Sequence, residues 1–135
     1  MMNILLDSHI LLWTLDGSSQ MAEKGRELIT DAHNEIYYSA ASVWELSIKH
    51  QLHPKQIRYP AKMLRELCQQ AGFTEVPVLV SHVEAMETLS RPQDAPRHKD
   101  PFDKILIAQA KATGMMFLTH DAMLPYYDES CIIKI

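Results

Sequence analysis

Glycine is scarce in this sequence, four residues in 135, and cysteine is scarcer still at two. The first count excludes a collagen-like repeat and a glycine-rich flexible chain. Cys68 and Cys131 form neither a disulfide framework nor a Cys-x-x-Cys metal motif, so they read as reduced thiols of a cytoplasmic protein. Long apolar runs are absent as well. The N-terminal runs Ile4-Leu5-Leu6 and Ile10-Leu11-Leu12-Trp13 are separated by Asp7, Ser8 and His9. No stretch approaches the roughly 18 apolar residues of a membrane helix, and the N-terminus lacks the basic stretch of a secretory signal. What is present is 47% hydrophobic and 22% charged residues, the proportions of a chain that buries a core. One domain over residues 1–135 is expected.

The formal net charge is −4, which argues against a polyanionic partner only if charge is evenly spread. It is not. Lys49, Lys55, Arg58, Lys62 and Arg65 follow one another with no acidic residue between them, a candidate track for a polyanion. The competing reading is a solvated helix face. Arg91, Arg97, Lys99 and Lys104 form a second basic group, mixed with Asp94, Asp100 and Asp103.

Short apolar strands alternate with helical stretches. Residues 3–6, 35–38, 115–119 and 131–135 read as strands, with a further one within 75–80 that Pro77 interrupts. Helices are expected after Ser8, over 22–32, over 40–52, over 61–71 and from Ser81 to about 89. Another runs over 102–112, with Pro101 at its first position and Gly114 as its stop. Trp44, Ile48 and Leu52 recur at i, i+4 and i+8, an apolar stripe expected to face the core. Residues 91–99, with Pro92 and Pro96, read as an irregular loop. This alternation predicts an α/β domain with a parallel sheet covered on both faces.

Carboxylates fall where such a sheet exposes its strand ends. Asp7 follows the first strand directly, and Asp121 comes two residues after Thr119 at the end of a later one. Groups just beyond the carboxyl ends of parallel strands line the ligand crevice. Glu45, one turn into the helix after the second strand, aims at the same edge. Each has an ordinary explanation: helix capping for Asp7 and Asp121, an i, i+4 ion pair with Lys49 for Glu45. His98-Lys99-Asp100-Pro101-Phe102-Asp103 is the densest polar knot, with Asp100 as a cap and Asp103 favouring the helix dipole. No such explanation accounts for four carboxylates arriving at one edge from four segments. Like charges so placed call for a cation, and an all-oxygen set suits Mg²⁺ or Mn²⁺. The histidines form no comparable set: His50, His53 and His82 read as surface residues, while His9 and His120 sit beside site positions.

These residues resemble the PIN-domain ribonucleases, specifically the VapC-type toxins of type II toxin–antitoxin pairs. The resemblance rests on Leu5-Leu6-Asp7-Ser8-His9 with Leu12-Trp13, then Ser39-Ala40-Ala41-Ser42-Val43-Trp44-Glu45-Leu46. It continues through Asp100-Pro101-Phe102-Asp103-Lys104-Ile105-Leu106-Ile107-Ala108-Gln109-Ala110 and Leu118-Thr119-His120-Asp121, in family order over essentially the whole chain. It implies a five-stranded parallel sheet between helices and RNA cleavage dependent on Mg²⁺ or Mn²⁺. It implies an acidic cluster of Asp7, Glu45, Asp103 and Asp121, with Thr119 in support and Asp100 and Lys49 nearby. It also implies a homodimer and a cognate antitoxin. The anionic pocket would suit an arginine or lysine of such a partner, and the groove beside helix 40–52, flanked by apolar side chains, is the expected seat of its helical part. Ser8 and Lys104 stand where threonine and arginine are frequent in the family. An RNA-processing PIN nuclease without an antitoxin, or a catalytically silent binding module, are the alternative readings.

Overall fold

A computed structural model describes all residues, 1–135. The first strand, β1 (Asn3–Leu6), is central to a five-stranded, wholly parallel sheet. It pairs on one side with β2 (Glu35–Ser39), which pairs with β3 (Thr74–Val76). On the other side it pairs with β4 (Met116–Thr119), which pairs with β5 (Ile132–Lys134). The order is therefore β3-β2-β1-β4-β5. The chain reverses its direction of travel across the sheet at the β1/β4 boundary, and such a switch point opens a crevice at the strand carboxyl ends.

Strand alternation supplies two cores. Ile4 and Leu6 face one side, with Leu46, Leu64, Cys68 and Leu118. Leu5 faces the other, with Leu106, Ile107, Ala110 and Phe117. The first core is covered by α1 (Ser8–Asp16), α2 (Glu23–Thr30) and α4 (Ala61–Gln70). The second is covered by α6 (Pro101–Thr113), against which α5 (Val80–Met86) packs. The expected α/β fold with helices on both faces is present, and the strands are short because each needs only to span this buried layer. Gly114 ends α6 with φ of +72°, a left-handed cap that glycine adopts without a Cβ penalty. Both cysteines are free, and burial pushes the Cys68 thiol up to about 12. No helix is long and apolar enough to cross a membrane.

Two expectations need correction, and the basic run proves to be partly paired. The apolar stripe of α3 (Ala40–Leu52) is not its core face: Trp44 is 64% exposed, Leu52 67% and Ile48 37%. The helix instead buries Ala41, Ser42, Glu45 and Leu46, because the polar pair reaches the end of β1 and the rotation that allows this turns Trp44 outward. There Trp44 meets Phe102 edge to face at 5.1 Å, beside a groove shared with Val78, Val83, Met86 and Ile105. His82 is buried, not a surface residue. Its Nδ1 accepts from the Leu79 amide at 3.0 Å, and so it is His82, not Ser81, that secures the start of α5. The basic run from Lys49 to Arg65 is largely neutralised from elsewhere. Glu45 meets Lys49 at 2.8 Å, Asp16 meets Arg58 at 3.2 Å and Glu75 meets Arg65 at 3.5 Å. Only Lys55 and Lys62 of that run lack a carboxylate partner.

Candidate active site

Asp7 follows β1 directly and caps α1, as one of its two sequence readings expected. Its Oδ1 accepts from the Ser8 amide at 2.7 Å, and its Oδ2 accepts from the Thr119 hydroxyl at 2.6 Å. Thr119 is the last residue of the neighbouring strand β4, which explains the cross-strand bond. The Thr119 oxygen in turn accepts from the Asp121 amide at 3.0 Å, fixing the turn that carries that carboxylate. Asp121 also accepts from the Met123 amide at 2.8 Å, an Asx turn leading into the 3₁₀ turn Leu124–Tyr126.

Glu45 reaches the same edge from α3 and is buried there. The Ser8 hydroxyl donates to its Oε1 at 2.7 Å, and Ser42 lies 3.0 Å from that hydroxyl. Lys49 holds the other oxygen at 2.8 Å. The i, i+4 pair foreseen in the sequence thus exists, but one of its members is buried against the strand end. Asp103 stands on the first turn of α6, also buried. Asp100 caps that helix, its Oδ1 accepting from the amides of Phe102 at 2.9 Å and Asp103 at 3.3 Å.

Crowding of these carboxylates shows in their proton affinities. Burial, then the charges of Asp7, Asp100, Glu45 and Asp121, push the Asp103 carboxyl up to about 8. Burial also raises Asp7, though the Thr119 hydroxyl and the Ser8 amide oppose the shift. The mutual effects place Asp7, Glu45, Asp103 and Asp121 in one electrostatic cluster at the carboxyl ends of β1 and β4.

Sequence reasoning overlooked a histidine at this centre. His98 Nε2 lies 3.1 Å from Asp103 Oδ2, and its Nδ1 lies 2.9 Å from the Tyr127 hydroxyl. Burial, and then the positive charge of Arg91, lower its affinity for a proton. Ligand atoms of His98, Asp103 and Asp121 all lie within 4.8 Å of one another. The signal in the sequence was only the polar knot around Asp103; nothing local told which of its members turned inward. By contrast, His9 and His120 are exposed and flank Trp13, its ring 6.0 Å from His9 and 5.2 Å from His120.

The PIN domain family pattern matches residues 4–130 of the chain. No curated protein matches it. Among solved structures, VapBC2 of Rickettsia felis, bound to a DNA fragment from its promoter, is similar in fold. Its TM-score is 0.73 at 12% identity, over 98% of each chain. A toxin–antitoxin complex from Klebsiella pneumoniae gives a TM-score of 0.61 at 12% identity, over 98% of this chain and 99% of that one. FitAcB of Neisseria gonorrhoeae gives 0.54 at 19% identity, over 89% and 88%. At such identities the likeness to these structures is one of fold. The match of sequence pattern, running from the middle of β1 to the approach to β5, goes further: the chain belongs to the PIN-domain family.

Proposed function

We propose that residues 1–135 act as one unit, a Mg²⁺- or Mn²⁺-dependent ribonuclease that is the toxin of a toxin–antitoxin pair. The observation that carries this reading is the convergence of Asp7, Glu45, Asp103 and Asp121 from four segments. The raised proton affinities of Asp7 and Asp103 add to it. Among these four carboxylates the only direct ion pairs are Lys49 with Glu45 and, when its ring is protonated, His98 with Asp103. A hard divalent ion fits this donor set, because it would relieve the repulsion that otherwise forces a proton onto Asp103.

Asp7, Glu45, Asp103 and Asp121 would hold the ion, which supplies Lewis acidity and a water acidic enough to attack a phosphodiester at neutral pH. The protein's own groups then position. Thr119 and Ser8 each fix a carboxylate by a hydroxyl bond, and His98 with Tyr127 orients Asp103 from the rear. Lys49 screens Glu45 and stands near the path of the substrate's phosphates. The identification of RNA as substrate draws on the resemblance to the ribonuclease members of the family.

An antitoxin as partner is suggested by the fold neighbours, one of which is described as a toxin–antitoxin complex. A basic residue of such a partner would satisfy the acidic pocket while excluding the metal. The apolar groove around Trp44 and Phe102 is the proposed seat of its helical segment, or of the second copy in a homodimer.

Cleavage of RNA by purified protein is expected with Mn²⁺ or Mg²⁺, to vanish in excess chelator and to return when metal is restored. Full activity in chelator would overturn the reading. Asp100→Asn is expected to retain cleavage within about threefold of wild type, because asparagine caps as well as aspartate. A dead Asp100→Asn enzyme with intact melting behaviour would move a metal-holding role from Asp103 to Asp100.

A further inference from the structure

Beside the acidic centre, the loop after α5 lays one guanidinium against two tyrosines. The Arg91 guanidinium carbon lies 4.9 Å from the centre of the Tyr127 ring and 6.0 Å from that of Tyr126. Its Nε and Nη2 are sealed from solvent and meet no hydrogen-bond acceptor. No carboxylate stands within ion-pairing distance of it. A ligand in the cleft would therefore meet the remaining nitrogen, Nη1, of a guanidinium charge that has no partner in the chain. The cleft at this corner has a volume of about 470 Å³ and is lined by Ser90, Arg91, Pro125, Tyr126, Tyr127 and Asp128. That is within the range of ligand-sized clefts. Tyr127 links it to the centre, since its hydroxyl contacts His98 and His98 contacts Asp103.

We infer that this cleft is a nucleotide subsite for single-stranded RNA, in which Arg91 takes a backbone phosphate and Tyr126 stacks on a base. The inference rests on the ribonuclease reading of the neighbouring centre. An unpaired guanidinium calls for an anion. Tyr126, 44% exposed, offers a flat apolar ring beside it. A phosphodiester joined to a planar base is the ligand that uses both features, whereas an acidic peptide uses only the first. Arg97, Lys99 and Lys104, on the same stretch of chain and interspersed with Asp94, Asp100 and Asp103, also lack carboxylate partners. Asp128 opposes phosphate from the cleft wall, which makes its removal informative.

The test is fluorescence anisotropy of a labelled single-stranded ribo-oligonucleotide on the full chain, in chelator to prevent cleavage, across a salt series. Arg91→Gln is expected to weaken binding about fivefold or more and to lower the log–log salt slope by about 0.7, one phosphate contact on a single strand. Tyr126→Ala should weaken it by at least about fivefold, while Tyr126→Phe keeps wild-type affinity because the stacking face remains. Asp128→Asn should bind more tightly than wild type. Circular dichroism monitors folding. Should Arg91→Gln unfold, Tyr126→Ala and Asp128→Asn, both at exposed positions, decide the matter. Wild-type binding and salt slope in folded Arg91→Gln, or in Tyr126→Ala, would overturn the subsite and leave the nuclease reading standing. Normal RNA binding with loss of a co-purifying protein would assign the cleft to a protein partner and also overturn it. Failure of the wild type to bind or cleave RNA would remove both.

Discussion

Replacement of Asp103 by asparagine is expected to lower RNA cleavage by about 10³-fold or more and to raise the melting temperature of the metal-free protein above neutral pH. The two effects share a cause. In the folded chain, burial and the charges of Asp7, Asp100, Glu45 and Asp121 push this carboxyl up from 3.8 to about 8. In the unfolded chain it ionises near pH 4. The stability contributed by the protonated group is complete below about pH 4 and is lost as the pH rises through about 8. Above that, the wild type holds an ionised carboxylate among others, and asparagine does not. Melting curves in chelator at pH 5 and pH 8.5 should show the variant's advantage widening by several degrees, with about 2–4 °C expected per kcal/mol for proteins somewhat larger than this one. An inactive variant that also melts lower at pH 8.5 would mean that Asp103 supports the fold, and its loss of cleavage would carry no catalytic meaning.

Metal affinity should depend on pH for the same reason. An ion bound by Asp103 must displace its proton, so binding should tighten about tenfold per pH unit up to about pH 8 and then level off. Between pH 6 and 8 the dissociation constant for Mn²⁺, followed by calorimetry, should fall by about 50-fold. At a free concentration 100 times the dissociation constant, the ion should stabilise the wild type by about 2.7 kcal/mol. Asp103→Asn should bind more weakly and with a flatter pH profile. An affinity independent of pH in the wild type would separate the metal from this carboxylate.

Much of this molecule is legible locally. The alternation of Ile4, Leu5 and Leu6 between two buried faces follows from strand geometry, and both covered faces were foreseen from apolar strands between helices. Asp7 and Asp100 announce themselves because capping depends on the neighbouring two or three residues. The Glu45–Lys49 pair is likewise written in i, i+4 spacing. Local rules fail where a side chain's partner comes from a distant segment. Trp44, Ile48 and Leu52 form a sound apolar stripe, yet the bonds of Ser42 and Glu45 to the β1–α1 junction set the rotation of α3 and leave that stripe exposed. The basic run looked uncompensated because Asp16 and Glu75 are far away in sequence.

The sequence by itself therefore determined most of the strands and helices and the parallel α/β class, and it pointed to the four carboxylates, since each depends on residues within a few positions of one another. The tertiary structure alone decided how those carboxylates are held. Thr119 meets Asp7 across 112 residues and Ser8 meets Glu45 across 37. His98 joins Asp103 only because the intervening loop folds back onto Tyr127. Proton affinity is a property of charge spacing and burial, and both are set when separate segments are packed against the same sheet edge.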